Sequence, residues 1–252
     1  MPGALKYNAQ DIRDILERSS ARETATRVAA GSIAKQFLER FGVEIKSEVI
    51  SVGGVDASKE DAVNNIIEQA KNNGDTLGGL IRVFAYNVVP GIGSFTNWDR
   101  KLDGNLARAI MSIGAVKSVE IGLGRECTNT LGSKMHDEIK IENGKIVRPT
   151  NNAGGIEGGM SNGEPIVITL SMKPIPTMRT PLKSINLKTK EPIEAHFERS
   201  DTCAVEACAV VAEAMAAIIL CDEYLKKFGG DSIEEILCNF ENYTKKIKER
   251  LS

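Results

Sequence analysis

Apolar and polar positions along this chain repeat with two different periods, and the switches between them outline its elements. Ser20-Ala-Arg-Glu23 has the form of a capping box, in which the serine oxygen accepts from a helical amide and the glutamate reaches back to the serine amide. The helix it opens is expected to run to about Arg40 and to stop at Gly42. Its inward stripe reads as small, with Ala25, Ala29 and Ala34 among Val28, Ile33 and Phe37, so that a neighbour could pack very close. Residues 43–51 alternate weakly, as a strand does, and Gly53-Gly54 breaks them. Ser58 starts an amphipathic helix with Ala62, Ile66, Ile67 and Ala70 on one face, ended by Gly74. Residues 80–89 read as a buried strand rich in β-branched and aromatic side chains.

Pro90-Gly-Ile-Gly-Ser-Phe95 is a turn; a helix around 102–113 and a strand over 116–121 follow. Asn143-Gly144 separates 138–141 from 146–148 and is a strong hairpin signal. Ile166, Ile168, Leu170 and Met172 alternate with smaller or polar neighbours, giving a strand buried on one face that delivers Lys173. A long, mostly apolar helix spans 204 to about 228. Ser232 caps a final amphipathic helix whose last turn, Lys245-Lys-Ile-Lys-Glu-Arg250, is rich in cations that suit the helix dipole. Strands and helices mix without a short βαβ repeat, which predicts an α+β fold with antiparallel sheets against a helical layer. No linker is visible, so residues 1–252 are read as one domain.

Composition narrows the function. Hydrophobic residues make up 42% and charged residues 26% of the 252, enough for a core. A net charge of −2 and the absence of a Lys/Arg run argue against a nucleic-acid binder. No apolar run is long enough to span a membrane, and the first residues have no signal-peptide pattern. Cys127, Cys203, Cys208, Cys221 and Cys238 are odd in number and show no zinc-type pairing. They read as thiols in a reducing, cytoplasmic compartment, and no metal site is expected.

The chemistry-bearing segments are few. Residues 151–163 hold five glycines, which favour neither helix nor strand but let a backbone run close to something flat or anionic; a plain surface loop is the bland alternative. Lys173-Pro-Ile-Pro-Thr177 puts an ammonium and a hydroxyl on a stiff, extended segment. Arg18-Ser-Ser-Ala-Arg22 sets two cations astride a helix N-terminus, either an anion site or a capped helix with solvated arginines. Gly114 reads equally as a helix C-terminal glycine, and Asp201 as the N-cap of the helix that follows it.

These segments, with Leu102-Asp-Gly-Asn-Leu-Ala-Arg-Ala-Ile-Met-Ser-Ile113, Ala115-Val-Lys117, Val119-Glu-Ile-Gly122 and Arg199-Ser-Asp201, match one family in sequence and order over nearly the whole chain. The chain resembles chorismate synthase. The resemblance implies a β-α-β sandwich with antiparallel sheets around a helical layer, and a homotetramer in the cytoplasm. It implies anti-1,4-elimination of phosphate from 5-enolpyruvylshikimate 3-phosphate to give chorismate, the last step of the shikimate pathway and the root of aromatic amino acid biosynthesis. Reduced FMN is the implied cofactor, with NADPH reducing the flavin in bifunctional relatives. Carried over residue by residue, Arg18, Ser19, Ser20, Gly114, Ala115, Gly158, Lys173, Pro174, Ile175, Pro176, Thr177 and Arg199 line the FMN site. Arg22 grips the substrate, and Asp201 is the catalytic group near the reactive flavin nitrogen.

The chain also departs from the family pattern. Ser200 and Thr202 stand where histidine and proline are usual, and Glu206-Ala-Cys208 where Pro-Arg-Ala is usual. Met1-Pro-Gly-Ala-Leu-Lys-Tyr-Asn8 resembles sequence at or just after the family's Arg-Pro-Gly-His-Ala-Asp segment, and the Gly-Glu-Ser-His-Gly segment has no counterpart. On the order of a hundred residues are expected to be missing from the N-terminus. His136 and His196 lie in no matching motif and read as structural or surface residues. The alternative to an enzyme is a non-catalytic FMN- or phosphate-binding fragment, or an assembly partner of a longer copy; a plain interaction domain is the third reading.

In relatives the resemblance assigns part of the acid–base support to the histidines of those two family segments, which have no counterpart here, and each such group contributes about a hundred- to ten-thousand-fold. The chain as it stands is therefore expected to release little or no phosphate from 5-enolpyruvylshikimate 3-phosphate under anaerobic conditions with dithionite-reduced FMN, and an upstream coding segment, if one exists, should restore turnover. Robust turnover without it would show that the chemistry does not depend on the missing histidines.

Overall fold

A computed structural model describes residues 1–197 and 200–251. Two short helices, α1 (Pro2–Tyr7) and α2 (Ile12–Arg18), precede the long α3 (Thr24–Glu39). Strands β1 (Glu44–Val52) and β2 (Val55–Asp56) lead to α4 (Glu60–Asn72), β3 (Gly79–Tyr86), α5 (Leu102–Met111) and β4 (Val116–Ile121). A one-turn helix α6 (Gly132–Met135) and two small ribbons follow, β5 (Lys140–Glu142) with β6 (Lys145–Val147) and β7 (Ile156–Glu157) with β8 (Met160–Ser161). Then come β9 (Ile166–Met172), the ribbon of β10 (Lys183–Ile185) and β11 (Pro192–Glu194), the 24-residue α7 (Val205–Phe228) and α8 (Ile233–Leu251).

Five strands pair antiparallel in the order β2-β1-β3-β9-β4. Their register puts Ile45, Ile81, Val83, Ala85, Ile166, Ile168, Leu170 and Met172 on one face, all buried. Helices α3, α5 and α7 cover that face. The other face is mixed: Leu80, Phe84 and Val167 share it with Arg82, which donates from Nε to Thr169 Oγ1 (3.3 Å) and pairs with Glu48, and with the hydroxyls of Ser118 and Ser171, which meet at 2.7 Å. This is the α+β arrangement expected, antiparallel sheets with a helical layer against the largest. The Asn-Gly hairpin also forms as expected, with Asn143 (φ 51°) and Gly144 (φ 73°) both left-handed, as a type I′ turn requires.

Of the two helix caps expected, the one at Ser232 forms in full and the one at Ser20 only in part. At Ser232 a complete capping box forms: Ser232 Oγ accepts from the Glu235 amide (3.2 Å) and Glu235 Oε2 from the Ser232 amide (3.2 Å). At Ser20 only half of it does. Ser20 Oγ accepts from the Arg22 amide (3.3 Å) at the head of a single 3-10 turn, Ala21–Glu23. Glu23 turns instead to Arg27, 2.9 Å away at i+4, a charged partner that outcompetes a backbone amide.

Helix α3 packs against α7 through only part of the stripe the sequence suggested: Ala34 is buried and Val28 and Phe37 pack against the core. Gly31, Ala34 and Leu38 are its buried residues; Ala25, Ala29 and Ile33 are exposed, Ile33 to 71%. The helix is apolar on two faces, and periodicity alone cannot say which one meets the neighbour. Gly31 decides it. A Cβ there would overlap the Ala214 methyl and lie 2.6 Å from its Cα and 2.8 Å from its carbonyl oxygen, so only that methyl stands between the two backbones. Half-buried Glu213 then accepts from Lys35 Nζ (2.6 Å) and from Ser47, tying α7 to both α3 and β1.

Replacing glycine by alanine inside a helix normally stabilises it by up to about 1 kcal/mol. Here overpacking reverses the sign: Gly31→Ala is expected to lower stability in urea unfolding by about 1–3 kcal/mol, and Ala214→Gly in the same chain to recover part of it. A stabilised Gly31→Ala protein would show that the helices have room to part.

Candidate functional site

One end of the five-stranded sheet gathers most of the expected site residues. Strand β9 stops at Met172, and the Lys173 amide donates to the carbonyl of Ala115 (2.9 Å), so these two candidates are joined through their backbones. Ala115 holds a left-handed φ of 72°, unusual for a residue with a side chain. Beside it Gly114 is exposed, and a Cβ there would meet nothing within 4 Å. Lys173 is half-buried, its ammonium donating to the Pro174 carbonyl (3.1 Å). Burial, and then the positive charge of Lys117 on β4, push the Lys173 pKa below its ordinary value. Neither lysine is in an ion pair among the described residues.

Beyond Lys173 the chain is laced between two other segments. Thr76 Oγ1 donates to the Ile175 carbonyl (2.7 Å), and the Leu77 amide to the Thr202 carbonyl (2.8 Å). Ser200 Oγ donates to the Thr177 carbonyl (2.9 Å) and meets the Thr177 hydroxyl at 3.1 Å. Pro174 and Pro176 stay exposed on the outside of this weave. Asp201 is exposed and does not cap α7, whose N-cap is Ala204. It faces a cavity of about 420 Å³ lined by Lys71, Gly74, Asp75, Thr76, Arg179, Phe197, Ser200, Asp201 and Thr202. Candidate Arg199 lies outside the described residues. Thr76, Asp75, Lys71 and Arg179 were not singled out from the sequence, because a polar residue at a helix end or in a loop carries no periodic or motif signal until the chain is folded.

The start of α3 lies at the same end. Arg27 Nη1 donates to Ser112 Oγ (2.8 Å), two residues before Gly114. Arg22 is exposed, Arg18 closes the last turn of α2, and neither is in an ion pair among the described residues. Ser19 Oγ donates back to the Ile15 carbonyl (2.6 Å) and Ser20 Oγ caps the turn, so both hydroxyls are engaged locally.

Gly158 is not part of this gathering. It sits at the tip of the β7–β8 ribbon, next to Gly159, whose carbonyl accepts from the Leu102 amide (2.9 Å) at the start of α5. Gly114 lies past the far end of that helix, about 15 Å of helix away. The glycine segment itself mostly serves chain crossing. A Cβ on Gly154 would overlap the backbone of Gly122, and its neighbours' amides are spent inside the loop, Gly155 donating to Asn151 Oδ1 (2.8 Å). Gly158 alone of the five meets nothing within 4 Å of an added Cβ, and is exposed. Asp137 anchors the loop, accepting from Thr150 Oγ1 and from the amides of Asn152 (2.7 Å) and Ala153 (2.9 Å). Its neighbour His136 is exposed, as is His196.

Comparison with known proteins is consistent across three kinds of match. A family model described as chorismate synthase matches residues 1–225. The chorismate synthase of Thermoanaerobacter pseudethanolicus is 54% identical over 249 residues, covering 98% of this chain and 71% of that protein. The chorismate synthase of Geobacter sulfurreducens is 48% identical over 280 residues, with the same two coverages. A crystal structure of chorismate synthase superposes with a TM-score of 0.85 at 41% identity, over 98% of this chain and 76% of its own.

Burial acts to raise the Asp137 pKa, but the hydrogen bonds from Thr150, Ala153 and Asn152, with the charge of Arg148, outweigh it and hold the carboxyl below its ordinary value of 3.8. A depressed carboxyl adds stability above the unfolded value, and that stability is lost as pH falls through the lower, folded value. Amide exchange should therefore show Asn152 and Ala153 losing protection on acidification through that range in the wild type, but not in Asp137→Asn, where the remaining oxygen does not titrate. PH-independent protection in the wild type would remove Asp137 as the anchor.

Proposed function

This chain belongs to the chorismate synthase family, and we propose that the Lys173 end of its five-stranded sheet is the part of the family's catalytic cleft that it carries. The family is a lyase that eliminates phosphate from 5-enolpyruvylshikimate 3-phosphate to give chorismate. One observation carries the placement. Lys173, half-buried and lowered in pKa by its burial and by Lys117, has no carboxylate partner among the described residues, so a bound anion would compensate its charge there.

The same observation tests the fit of reduced FMN, the cofactor we assign to this site. A reduced flavin and its phosphate are both anionic. Two ammonium groups beside open backbone at Gly114 and a stiff Pro174–Pro176 segment suit such a group in charge and access. When bound, reduced FMN would supply the electron density that phosphate departure requires and take up the ring hydrogen. Lys173 would hold the anion against that end of the sheet, with Ala115 and Pro174–Thr177 as the wall. Thr177, whose hydroxyl meets Ser200, fixes the Ser200–Asp201 turn, so Asp201 presents an uncapped carboxylate to the cavity and can hold a proton at Oδ. Arg22, exposed just before α3, would grip the anionic substrate as a charged hydrogen-bond donor, and Arg18, at the end of α2, would line the flavin beside it. Ser19 and Ser20 belong to the same wall, and Arg199 completes the flavin residues at this end in our reading, with Gly158 standing apart from them beyond the other end of α5.

The reading extends to a cytoplasmic homotetramer that uses NADPH where flavin is reduced internally. Among the described residues no helix is long and apolar enough to cross a membrane.

Titration of dithionite-reduced FMN under anaerobic conditions should show Lys173→Ala binding about tenfold or more weakly than wild type. Arg22→Ala should leave FMN affinity unchanged and weaken 5-enolpyruvylshikimate 3-phosphate by a similar factor at low salt. Equal FMN affinity in wild type and Lys173→Ala would move the flavin site away from the end of β9.

A further inference from the structure

The cavity facing Asp201 contains two cations that no assignment above uses. Lys71 lies in the last turn of α4, and Arg179 two residues beyond Thr177. The segment bearing Arg179 is fixed against the end of α4 by two hydrogen bonds. The Thr180 amide donates to the Gly74 carbonyl (3.2 Å), and Thr180 Oγ1 to the Asn73 carbonyl (2.9 Å). The fit is close. Gly74 has a left-handed φ of 70°, and a Cβ there would lie 2.7 Å from Thr180 Oγ1 and 3.1 Å from Arg179 Cβ. Arg179 is thus held at its base while its head is exposed.

Two carboxylates, Asp75 and Asp201, line the same cavity, yet no ion pair joins either of them to Lys71 or Arg179 among the described residues. Asp75 is turned back on the chain, its Oδ1 accepting from the Thr76 amide (2.7 Å). Opposite charges that share a cavity without pairing leave the cations free for an external anion and the carboxylates free for hydroxyl donors. At about 420 Å³ the cavity has room for a small phosphorylated molecule.

We infer that Arg179 and Lys71 form a seat for the phosphate of a hydroxylated phosphate monoester, with Asp75 and Asp201 receiving its neighbouring hydroxyls. The inference rests on the reading of this end of the sheet as the catalytic cleft. Both the substrate, through its 3-phosphate and ring hydroxyl, and FMN, through its ribityl phosphate, have this chemistry. Arg179 offers two N–H donors in a fork that matches a phosphate, and Lys71 a second point charge.

The test compares phosphorylated and unphosphorylated partners in two pairs: reduced FMN against reduced riboflavin, and 5-enolpyruvylshikimate 3-phosphate against 5-enolpyruvylshikimate. Affinities are measured by calorimetry for wild type, Arg179→Gln, Arg179→Lys and Lys71→Gln. Arg179→Gln is expected to weaken the phosphorylated member of one pair by about tenfold or more, leaving its unphosphorylated counterpart within twofold. Arg179→Lys should recover part of that loss, and Lys71→Gln should show a smaller one in the same pair. The pair that responds identifies the source of the phosphate. Equal affinities throughout, or equal losses for both members of a pair, would overturn the proposal. Lys173→Ala in the same experiment separates the two claims: a loss of FMN there with no effect of Arg179→Gln sinks the phosphate seat alone, and no effect of either sinks the placement of the cleft.

Discussion

The register of β9 is the constraint on which the site depends. The strand is bonded on both sides, with Met172 opposite Gly79 of β3 and opposite Val116 of β4. A slip of one residue would carry Ile166, Ile168, Leu170 and Met172 off the helix-covered face, each worth roughly 1.5–3 kcal/mol of burial. That penalty fixes where the strand stops. Lys173 therefore emerges beside Ala115, and the residues after it fall between Thr76 and Ser200. Hydrophobic alternation in the middle of the sheet thus sets the position of a cation at its edge.

Much of this was legible before folding because it rests on local patterns. The alternation over 166–172, the Asn143-Gly144 turn and the long apolar helix α7 each follow from spacing alone. So did the family, since its motifs run in order along nearly the whole chain. What stayed hidden depends on pairing between distant segments. Gly31 looks like a weak point in a helix until Ala214 is placed against it. Asp137, Thr76 and Arg179 are ordinary polar residues until the loop, the Ile175 carbonyl and the end of α4 arrive beside them. The capping box at Ser20 met the sequence rule and was undone by Arg27, a competitor one turn further on.

The glycine-rich segment shows how one signal can carry two physical demands. Glycine permits close approach to a ligand and to another backbone alike, and the sequence does not distinguish them. Here Gly154 lets the loop pass against Gly122, and its amides are largely satisfied within the loop or by Asp137. Gly158 keeps an open face, and it stands at the end of α5 away from Lys173. The density of glycine marks a crossing of chains before it marks a site.

The bare contact of α3 with α7 has a consequence for the cleft. Both helices begin at the Lys173 end of the sheet: Arg22 precedes one, Asp201 precedes the other, and the two cross at Gly31 and Ala214. With only the Ala214 methyl between the two main chains, there is no rotamer at the crossing to yield. The pair behaves as a calliper with a worn-in pivot, whose jaws are the arginine and the aspartate. Side-chain changes along either arm can alter how firmly it is held, but the opening between the jaws is set where the two backbones meet.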